Sequence, residues 1–313
     1  MIETATGPAA TATRCGFIAL VGAPNSGKST LLNRLVGAKV AIVTPKVQTT
    51  RTRVLGIALA GTAQLIYVDT PGIFEPKRRL ERAMVRAAWR GAADADVILV
   101  LVDVRRKPVD DDTARIIEGL RRAGRRAVLV LNKIDLVRRP RLLEITARLN
   151  EAGGGPDGLF TDTFMISATR GDGVDDLGAF LAAAMPQGPW LYPEDQLSDL
   201  PERLLAAELT REQLFLMLHQ ELPYSIAVET EGWERFHDGS VKIDQVIYVE
   251  RPSQKAIVLG HGGARIKKVG TAARTELAAL LGCRVHLKLH VSVREDWRER
   301  PDYYREMGLE FDA

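Results

Sequence analysis

The segment GAPNSGKS, at residues 22–29, decides the fold of the N-terminal part of this chain. It fits the pattern GxxxxGK[ST], follows the apolar run FIALVG and opens a stretch with helical spacing of leucines. This context predicts a phosphate-binding loop, because glycines let backbone N–H groups and the helix N-terminus surround phosphate oxygens. The predicted nucleotide contacts are Gly22, Ala23, Pro24, Asn25, Ser26, Gly27, Lys28, Ser29 and Thr30.

Apolar runs alternate with amphipathic stretches throughout residues 14–186, as in KSTLLNRLVGA and LERAMVRAAWRGAADA. Near-continuous apolar runs are typical of strands buried on both faces. The alternation predicts a doubly wound, mostly parallel α/β sheet, which binds ligands beyond the carboxyl ends of its strands. The predicted strands are FIALVG (17–22), AQLIYVD (63–69), VILVLVD (97–103), AVLVLNK (127–133) and TFMISA (163–168).

The tetrapeptide NKID, at residues 132–135, indicates which base the nucleotide carries. A carboxylate at Asp135 accepts from the two donors on the Watson–Crick edge of guanine, whereas adenine would leave the polar groups mispaired. We expect Asn132 to brace the loops and the stem of Lys133 to cover the base, with Ile134 between them. The backbone of Ser167 and Ala168, in ISA at 166–168, is expected to face the base as well.

Two further segments predict a magnesium ion and a γ-phosphate sensor. Lys28 is expected to bridge the β- and γ-phosphates, and the Ser29 hydroxyl to bind Mg²⁺. In VQTTRTR (47–53) we choose Thr50 over Thr49 as a second hydroxyl ligand. DTPG (69–72) is expected to supply a water-mediated contact to Mg²⁺ from Asp69 and a γ-phosphate contact from the Gly72 N–H, so the segment that follows it is predicted to be a switch that is released on hydrolysis. The residues assigned to DTPG are Asp69, Thr70, Pro71 and Gly72.

Taken in the order in which they occur along the chain, these five motifs resemble those of the translation-factor-like GTPases. In the signalling GTPases a glutamine follows the DxxG segment and orients the attacking water. Here that position is Ile73, and isoleucine cannot orient water. We therefore expect slow intrinsic hydrolysis that a partner or an ion stimulates.

The C-terminal third begins after a proline-rich stretch at 186–201, which is predicted to be a linker. A long amphipathic helix follows (ERLLAAELTREQLFLMLHQEL), then two alternating strands, YSIAVETE and VKIDQVIYVE. The run SQKAIVLG fits strand or helix by periodicity, and Ser253 as a helix N-cap favours a short helix. A helix starting at ARIKK and the strand RVHLKLHVSV complete this part.

Positive charge is concentrated in the C-terminal third. Residues 251–294 contain nine basic residues and one acid, Glu276, a net of +8 with histidine neutral, whereas the whole chain carries +3. Such a patch favours phosphate backbones, although a charged run alone more often marks a solvated face. The glycine-rich turn GHGG at 260–263, followed by a basic helix, resembles the GxxG loop of a KH domain, which clamps single-stranded nucleic acid.

The succession of P-loop, TTR segment, DTPG, NKID, ISA and KH pattern resembles the Era family, from about Gly16 to Leu309 and including ELPYSIAVE at 221–229. The resemblance implies a GTPase that binds the 3′ end of 16S ribosomal RNA, assists maturation of the small ribosomal subunit and contacts the inner membrane peripherally. The resemblance also implies that GTP must be bound to the N-terminal domain for the KH surface to bind RNA.

The middle of the GxxG loop departs from the family, whose members often have a lysine there. His261 and Gly262 carry no fixed charge, so positive charge must come from the flanking basic residues. The predicted RNA contacts are Lys255, Gly260, His261, Gly262, Gly263, Arg265, Lys267 and Lys268. The final DWRERPDYYREMGL is expected to cover either the RNA site or the face between the domains.

Composition sets the remaining expectations. The two cysteines, Cys15 and Cys283, have no CxxC partner, so we expect reduced thiols in a cytoplasmic protein. The first residues lack a signal-peptide pattern, and the longest apolar run is too short to span a bilayer. We expect a monomer divided into a tail (1–15), a GTP-binding domain (16–186), a linker (187–201), a type II KH domain (202–296) and a tail (297–313).

Two other functions stay open at this point. One is an RNA-binding protein whose nucleotide-bound N-terminal domain does not cycle between states. The other is a P-loop kinase with an appended domain, which NKID and the lack of an acceptor-substrate lid disfavour.

Overall fold

A computed structural model describes residues 12–218 and 222–312 of the chain. Most of the predicted N-terminal tail lies outside these residues, and its last two residues, Arg14 and Cys15, already belong to the first strand. The six strands of the N-terminal domain are β1 (Arg14–Gly22), β2 (Val54–Ala60), β3 (Ala63–Asp69), β4 (Val97–Asp103), β5 (Ala127–Asn132) and β6 (Phe160–Ile166).

These strands form one sheet in the order β2-β3-β1-β4-β5-β6, parallel except for β2, which runs antiparallel to β3. Five helices cover it: α1 (Lys28–Val36), α2 (Arg79–Ala93), α3 (Asp111–Arg122), α4 (Arg139–Ala152) and α5 (Val174–Ala184). Buried residues of α2, α3 and α4 form a core on one face, and those of α1 and α5 form a core on the other. The prediction of a doubly wound, mostly parallel sheet is confirmed.

The register of the parallel strands brings the nucleotide motifs to one edge. Leu20 pairs with Asp69, and Gly22 pairs with Leu101, two residues before the end of β4. Asn132 pairs with Asp103 on one side and with Ile166 on the other. The loops after β1, β3, β5 and β6 therefore open on the same side of the sheet, as expected for a nucleotide-binding α/β fold.

The predicted linker is packed along the edge of the sheet. Trp190 Nε1 donates to the Thr62 carbonyl over 3.1 Å, and Gln64 Nε2 donates to the Tyr192 carbonyl over 2.8 Å. Both aromatic rings pack on a small core that includes Leu55 of β2. Strand β2, with the sequence VLGIALA, was not among the predicted strands.

The C-terminal part is a three-stranded sheet covered by helices on one face. Its elements are α6 (Glu202–Met217), β7 (Ile226–Arg235), β8 (Val241–Val249), α7 (Pro252–Leu259), α8 (Ala264–Leu281) and β9 (Val285–Val293). The strand order is β7-β8-β9, with β9 parallel to β8. Residues of α6, α7 and α8 pack against the inward face of the sheet, and the predicted KH arrangement is confirmed.

The run SQKAIVLG forms helix α7, but Ser253 is not its N-cap. The helix begins at Pro252, whose fixed φ suits the first helical position, so the cap is Arg251. The Gln254 side chain closes this end by accepting hydrogen bonds from the backbone N–H groups of Glu250 and Arg251.

The last segment is not a tail but part of the contact between the domains. It contains a short helix, α9 (Pro301–Glu306), and its Trp297, Tyr304 and Met307 are buried. These side chains join a core with Met84 of α2 and Ala227 of β7, so their apolar surface bridges the two domains. Within residues 12–218 and 222–312, the helices are too short or too polar to cross a membrane.

Candidate nucleotide and RNA sites

The phosphate loop, residues 22–29, connects β1 to α1 through a left-handed glycine. Gly27 has φ +100°, and a Cβ there would collide with the side-chain amide of Asn132. The buried Lys28 Nζ donates to the carbonyls of Gly22 and Ala23, 3.1 Å from each. Burial lowers the pKa of Lys28 to about 8, since charge is disfavoured away from water. An anion in the loop would restore the preference for the charged lysine.

Ser29 of the phosphate loop meets Thr50 and Asp69, and these three predicted magnesium ligands are called the magnesium triad here. The Ser29 hydroxyl lies 2.9 Å from the Thr50 hydroxyl and donates to Asp69 Oδ2 over 2.6 Å. Burial raises the pKa of Asp69 to about 6, although Lys28 and the hydroxyls oppose the shift. The other oxygen, Asp69 Oδ1, is buried without a hydrogen-bond partner among the described residues. Two hydroxyls and a carboxylate with a spare oxygen fit the hard donors that Mg²⁺ prefers.

The neighbouring threonine does not join the triad. The Thr49 hydroxyl instead lies 2.6 Å from the Thr44 hydroxyl and donates to the Lys46 carbonyl over 2.7 Å. Of the two threonines weighed from sequence, Thr50 is therefore the one placed at Ser29.

The DTPG segment lies against the phosphate loop. Thr70 is buried and its hydroxyl donates to the Leu20 carbonyl over 2.9 Å, and Pro71 is buried beside it. Gly72 approaches so closely that a Cβ would lie 2.8 Å from Pro24 N. The next residue, Ile73, is fully buried in the core, so its side chain is turned away from the pocket.

Asn132 ties the phosphate loop to the base-side loops. Its Nδ2 donates to the Ser26 carbonyl over 2.8 Å, and its Oδ1 accepts from the N–H groups of Lys133 and Ala168. Ser167 is buried, and its hydroxyl accepts from the Arg170 N–H over 3.2 Å. The bracing role expected of Asn132 thus corresponds to three hydrogen bonds.

Asp135 and Ile134 follow in a short 3-10 turn after β5. The Asp135 carboxylate is largely buried, and Arg170 Nε is 3.7 Å from its Oδ2. Ile134 packs on the core below. A cavity of about 320 Å³ is lined by the phosphate loop, Thr50, Gly72 and Lys133, whereas Asp135, Ser167 and Ala168 lie outside its lining.

Sequence reasoning missed Asp103 as a site residue. Its Oδ2 accepts from Lys133 Nζ over 2.7 Å, and Lys133 also donates to the Asn25 carbonyl over 2.6 Å. Burial opposes ionisation of Asp103, but hydrogen bonds from Arg105 and Lys133 lower its pKa to about 2. The available signal was its place at the carboxyl end of a buried parallel strand, where such folds bind ligands.

The GxxG loop, residues 260–263, forms an exposed turn between α7 and α8. Gly260, Gly262 and Gly263 all have positive φ, and the space around an added Cβ is open at Gly262 and Gly263. His261 projects into solvent. This backbone geometry allows close approach of an extended ligand, as the KH pattern requires.

The predicted basic contacts divide into different roles. Lys267 and Lys268 are exposed in the first turns of α8, and Lys255 is half-buried on α7. Arg265 is instead turned back, because its Nη1 donates to the Ile257 carbonyl at the end of α7. A cavity at the loop is lined by Met217, Gly260, His261, Ala264, Arg265 and Lys268, of which Met217 was not predicted.

The basic patch of residues 251–294 is not confined to one face. Along β9, Val285 and Val291 are buried against the helices, whereas Lys288 is exposed on the opposite side of the sheet. Period-two alternation of the strand explains the split. The charge near the GxxG loop is therefore smaller than the net charge of the segment suggests.

Curated relatives match this chain over nearly its full length. GTPase Era of Rhizobium meliloti is 57% identical over 309 residues, covering 99% of this chain and 96% of that protein. GTPase Era of Mesorhizobium japonicum is 58% identical over 310 residues, covering 99% and 97%. This chain belongs to the GTPase Era family.

A solved member of the Era family has the same fold across both domains. Its crystal structure contains Era with MgGDPNP and nucleotides 1506–1542 of 16S ribosomal RNA. The match has a TM-score of 0.88 at 38% sequence identity and covers 95% of this chain and 99% of that one. Family models match residues 17–133, described as a 50S ribosome-binding GTPase, and residues 221–298, described as a KH domain.

Proposed function

We propose that this chain is a GTP-hydrolysing switch that binds 16S ribosomal RNA near its 3′ end through its KH domain and assists small-subunit assembly. The observation that carries this proposal is the magnesium triad beside the phosphate loop, in a chain whose second domain presents an open GxxG loop. The solved Era complex, which contains both MgGDPNP and 16S RNA, supports the same pairing. The description as a 50S ribosome-binding GTPase belongs to a family model that matches residues within the GTPase domain only and does not cover the KH domain.

Each nucleotide-site residue receives a role in this proposal. Lys28 contacts the β- and γ-phosphates, Ser29 and Thr50 supply hydroxyls to Mg²⁺, and Asp69 acts on it through water. Bound Mg²⁺ would neutralise the charge on the phosphate oxygens. The Gly72 N–H contacts the γ-phosphate, so its contact is lost after hydrolysis.

The base is read on the other side of Asn132. Asp135 accepts from the two donors of guanine, and the backbone of Ser167 and Ala168 faces the base. Lys133 covers the base with its stem while Asp103 holds its ammonium group. The arrangement favours GTP and GDP over adenine nucleotides.

Hydrolysis is proposed to be slow in the free protein. The side chain of Ile73 lies in the core, so it cannot orient the attacking water. A partner or an ion would have to supply that function. The expected activator is the assembling small subunit, to which the KH domain brings the GTPase domain.

The RNA surface is proposed to combine backbone contact and charge. Gly260, Gly262 and Gly263 allow the close approach, with His261 at the tip of the loop. Lys267 and Lys268 contact phosphates, and Lys255 and Arg265 flank them. We assign this function to residues 202–296, with the GTPase domain at 16–186 and the connection at 187–201.

The cytoplasmic location is the expectation from the composition, and the membrane contact is what the family resemblance implies. We propose a cytoplasmic monomer that contacts the inner membrane peripherally. Sedimentation of the pure protein and fractionation of cells would test both points.

Hydrolysis measured with and without small-subunit precursor tests the proposed function. We expect slow turnover alone and faster turnover with precursor, and both should require Mg²⁺. Absence of turnover in both conditions would favour the alternative, an RNA-binding protein that holds nucleotide without cycling. Transfer of the phosphate to a nucleoside would instead indicate a kinase.

A further inference from the structure

The switch segment, residues 39–52, lies between the two domains. Ile42 is buried among apolar side chains of α6, α8, β8 and β9. Lys39 Nζ lies 2.5 Å from Glu212 Oε2 and 2.6 Å from Glu276 Oε2. Glu276 is the single acid of the basic region, and it faces the GTPase domain. The start of the switch segment is therefore attached to two helices of the KH domain.

The backbone around Thr50 is held from the other domain on both sides. Arg211 of α6 donates to the Thr49 carbonyl over 2.6 Å. The Thr52 hydroxyl donates to the Met307 carbonyl, after α9, over 2.7 Å. Thr50 lies between these two anchors, with its hydroxyl at Ser29.

Arg51 is inserted into a pocket of the other domain. Its Nη1 donates to the Ile226 carbonyl over 2.7 Å and to the Tyr303 hydroxyl over 3.2 Å. The guanidinium carbon lies 5.7 Å from the centre of the Phe215 ring and 5.8 Å from that of Trp297. The side chain is 2% exposed. Burying a cation is costly, and in this pocket the carbonyl and hydroxyl acceptors offset that cost.

Thr50 and Arg51 are adjacent but serve different domains. Their Cα atoms are fixed about 3.8 Å apart by the trans peptide. The Thr50 hydroxyl contacts Ser29 of the GTPase domain, while the Arg51 side chain fills the pocket of the other domain. A displacement of the Arg51 backbone is therefore transmitted to Thr50, because a single peptide unit connects their Cα atoms.

We propose that Arg51 is a positioning residue for GTP hydrolysis: its capture by the KH domain and the C-terminal segment places the Thr50 hydroxyl for magnesium-bound GTP. This inference rests on the proposed function, in which Thr50 senses the triphosphate. GTP contacts Thr50 through Mg²⁺ and GDP does not require that contact, so Arg51 acts on the triphosphate state.

The linkage is reciprocal. If the closed pocket favours Mg-GTP, then Mg-GTP favours the closed pocket by the same factor. The pocket includes α6, which also carries Met217 at the GxxG cavity. Arg51 thus links the KH domain directly to the nucleotide site.

The test uses the full chain with Arg51→Gln and, as a matched control, Arg53→Gln, whose side chain is exposed one residue beyond the switch segment. For Arg51→Gln we expect a loss of affinity for a non-hydrolysable GTP analogue of about tenfold or more in Mg²⁺, with GDP affinity changed less than about twofold. The turnover rate should fall by a similar factor. Arg53→Gln should leave all three values within about twofold.

Equal weakening of GDP and the analogue would make Arg51 merely structural and overturn the inference, as would an unchanged analogue affinity. Should Arg51→Gln fail to fold, Tyr303→Phe removes only the hydroxyl partner and should lower analogue affinity about threefold while sparing GDP. No such preference in a folded Tyr303→Phe would then overturn it.

Thr50→Ala separates this inference from the proposed function. If Arg51 acts through Thr50, the double variant should be hardly weaker for the analogue than Thr50→Ala alone, since the two effects are then not additive. If Thr50→Ala bound the analogue with normal affinity, the magnesium role assigned to Thr50 would be wrong. An impaired Thr50→Ala with additive losses in the double variant would defeat the positioning role alone.

Discussion

The phosphate loop and the GxxG loop are both glycine-rich turns that lead into a helix, yet their surroundings differ. Around the phosphate loop, added Cβ atoms at Gly27 and Gly72 would meet Asn132 and Pro24. In the GxxG loop, Cβ atoms added at Gly262 and Gly263 would meet no described atom within 4 Å. The first turn is enclosed by its own domain, whereas the second is offered to solvent.

The difference corresponds to two ways of binding phosphate. Lys28, Ser29 and Asp69 are already placed by hydrogen bonds within the domain. Such preorganisation concentrates binding free energy in few contacts, so one substitution has a large effect. An exposed surface that follows an RNA backbone distributes its binding over several phosphates. Single substitutions there should have smaller, salt-dependent effects.

The largest expected effect comes from Lys28→Ala. The lysine is expected to make charge-assisted hydrogen bonds to two phosphates, each contributing about 1.5–3 kcal/mol. Affinity for GTP and GDP should fall about 100-fold or more, measured by calorimetry. RNA affinity of the nucleotide-free protein should remain, because the GxxG loop is remote in the fold. Lys107→Ala, an exposed lysine of the same domain, serves as the control. A small loss of nucleotide affinity in Lys28→Ala would contradict the view that a few contacts in this loop supply most of the binding free energy.

The same contrast explains what could be predicted from the sequence. The nucleotide motifs are contiguous and follow buried strands, so the rule for parallel sheets places them at one edge. The structure brings Ser29, Thr50 and Asp69 together, although Thr50 lies 21 residues from Ser29. In the KH domain, the order of elements was sufficient for the fold.

The individual residue pairs between the domains were not predictable, although the final segment was expected to cover either the RNA site or this face. Lys39 and Glu276 are 237 residues apart, and no periodicity links them. Arginine is usually an exposed residue, but Arg51 is buried. The carbonyl groups and aromatic rings that surround it come together only when the two domains are docked. Arg265 was assigned to RNA, whereas its guanidinium bonds to the end of α7. Such pairs depend on long-range packing and leave no local pattern in the sequence.

An intermediate effect is expected from Gly263→Asp. The carboxylate would repel phosphates at the point of closest backbone approach, so RNA affinity should fall about tenfold or more. GTP hydrolysis by the free protein should stay near normal. Gly239→Asp is a matched control, since Gly239 also has positive φ with open space around an added Cβ but lies in the turn between β7 and β8. Equal RNA losses in both variants would point to backbone strain rather than to phosphate contact.

The smallest expected effect comes from Lys268→Ala. This lysine lies at the GxxG cavity, and one lost phosphate contact should reduce the salt dependence of RNA binding by about 0.7 in log–log slope, with a several-fold loss of affinity. Lys288→Ala removes the same charge from the opposite face of the sheet, so it should change the slope little. Titrations of RNA at several salt concentrations measure both. Equal slope changes in the two variants would mean that RNA also contacts the outer face of the sheet, and the RNA surface would then extend well beyond the GxxG loop.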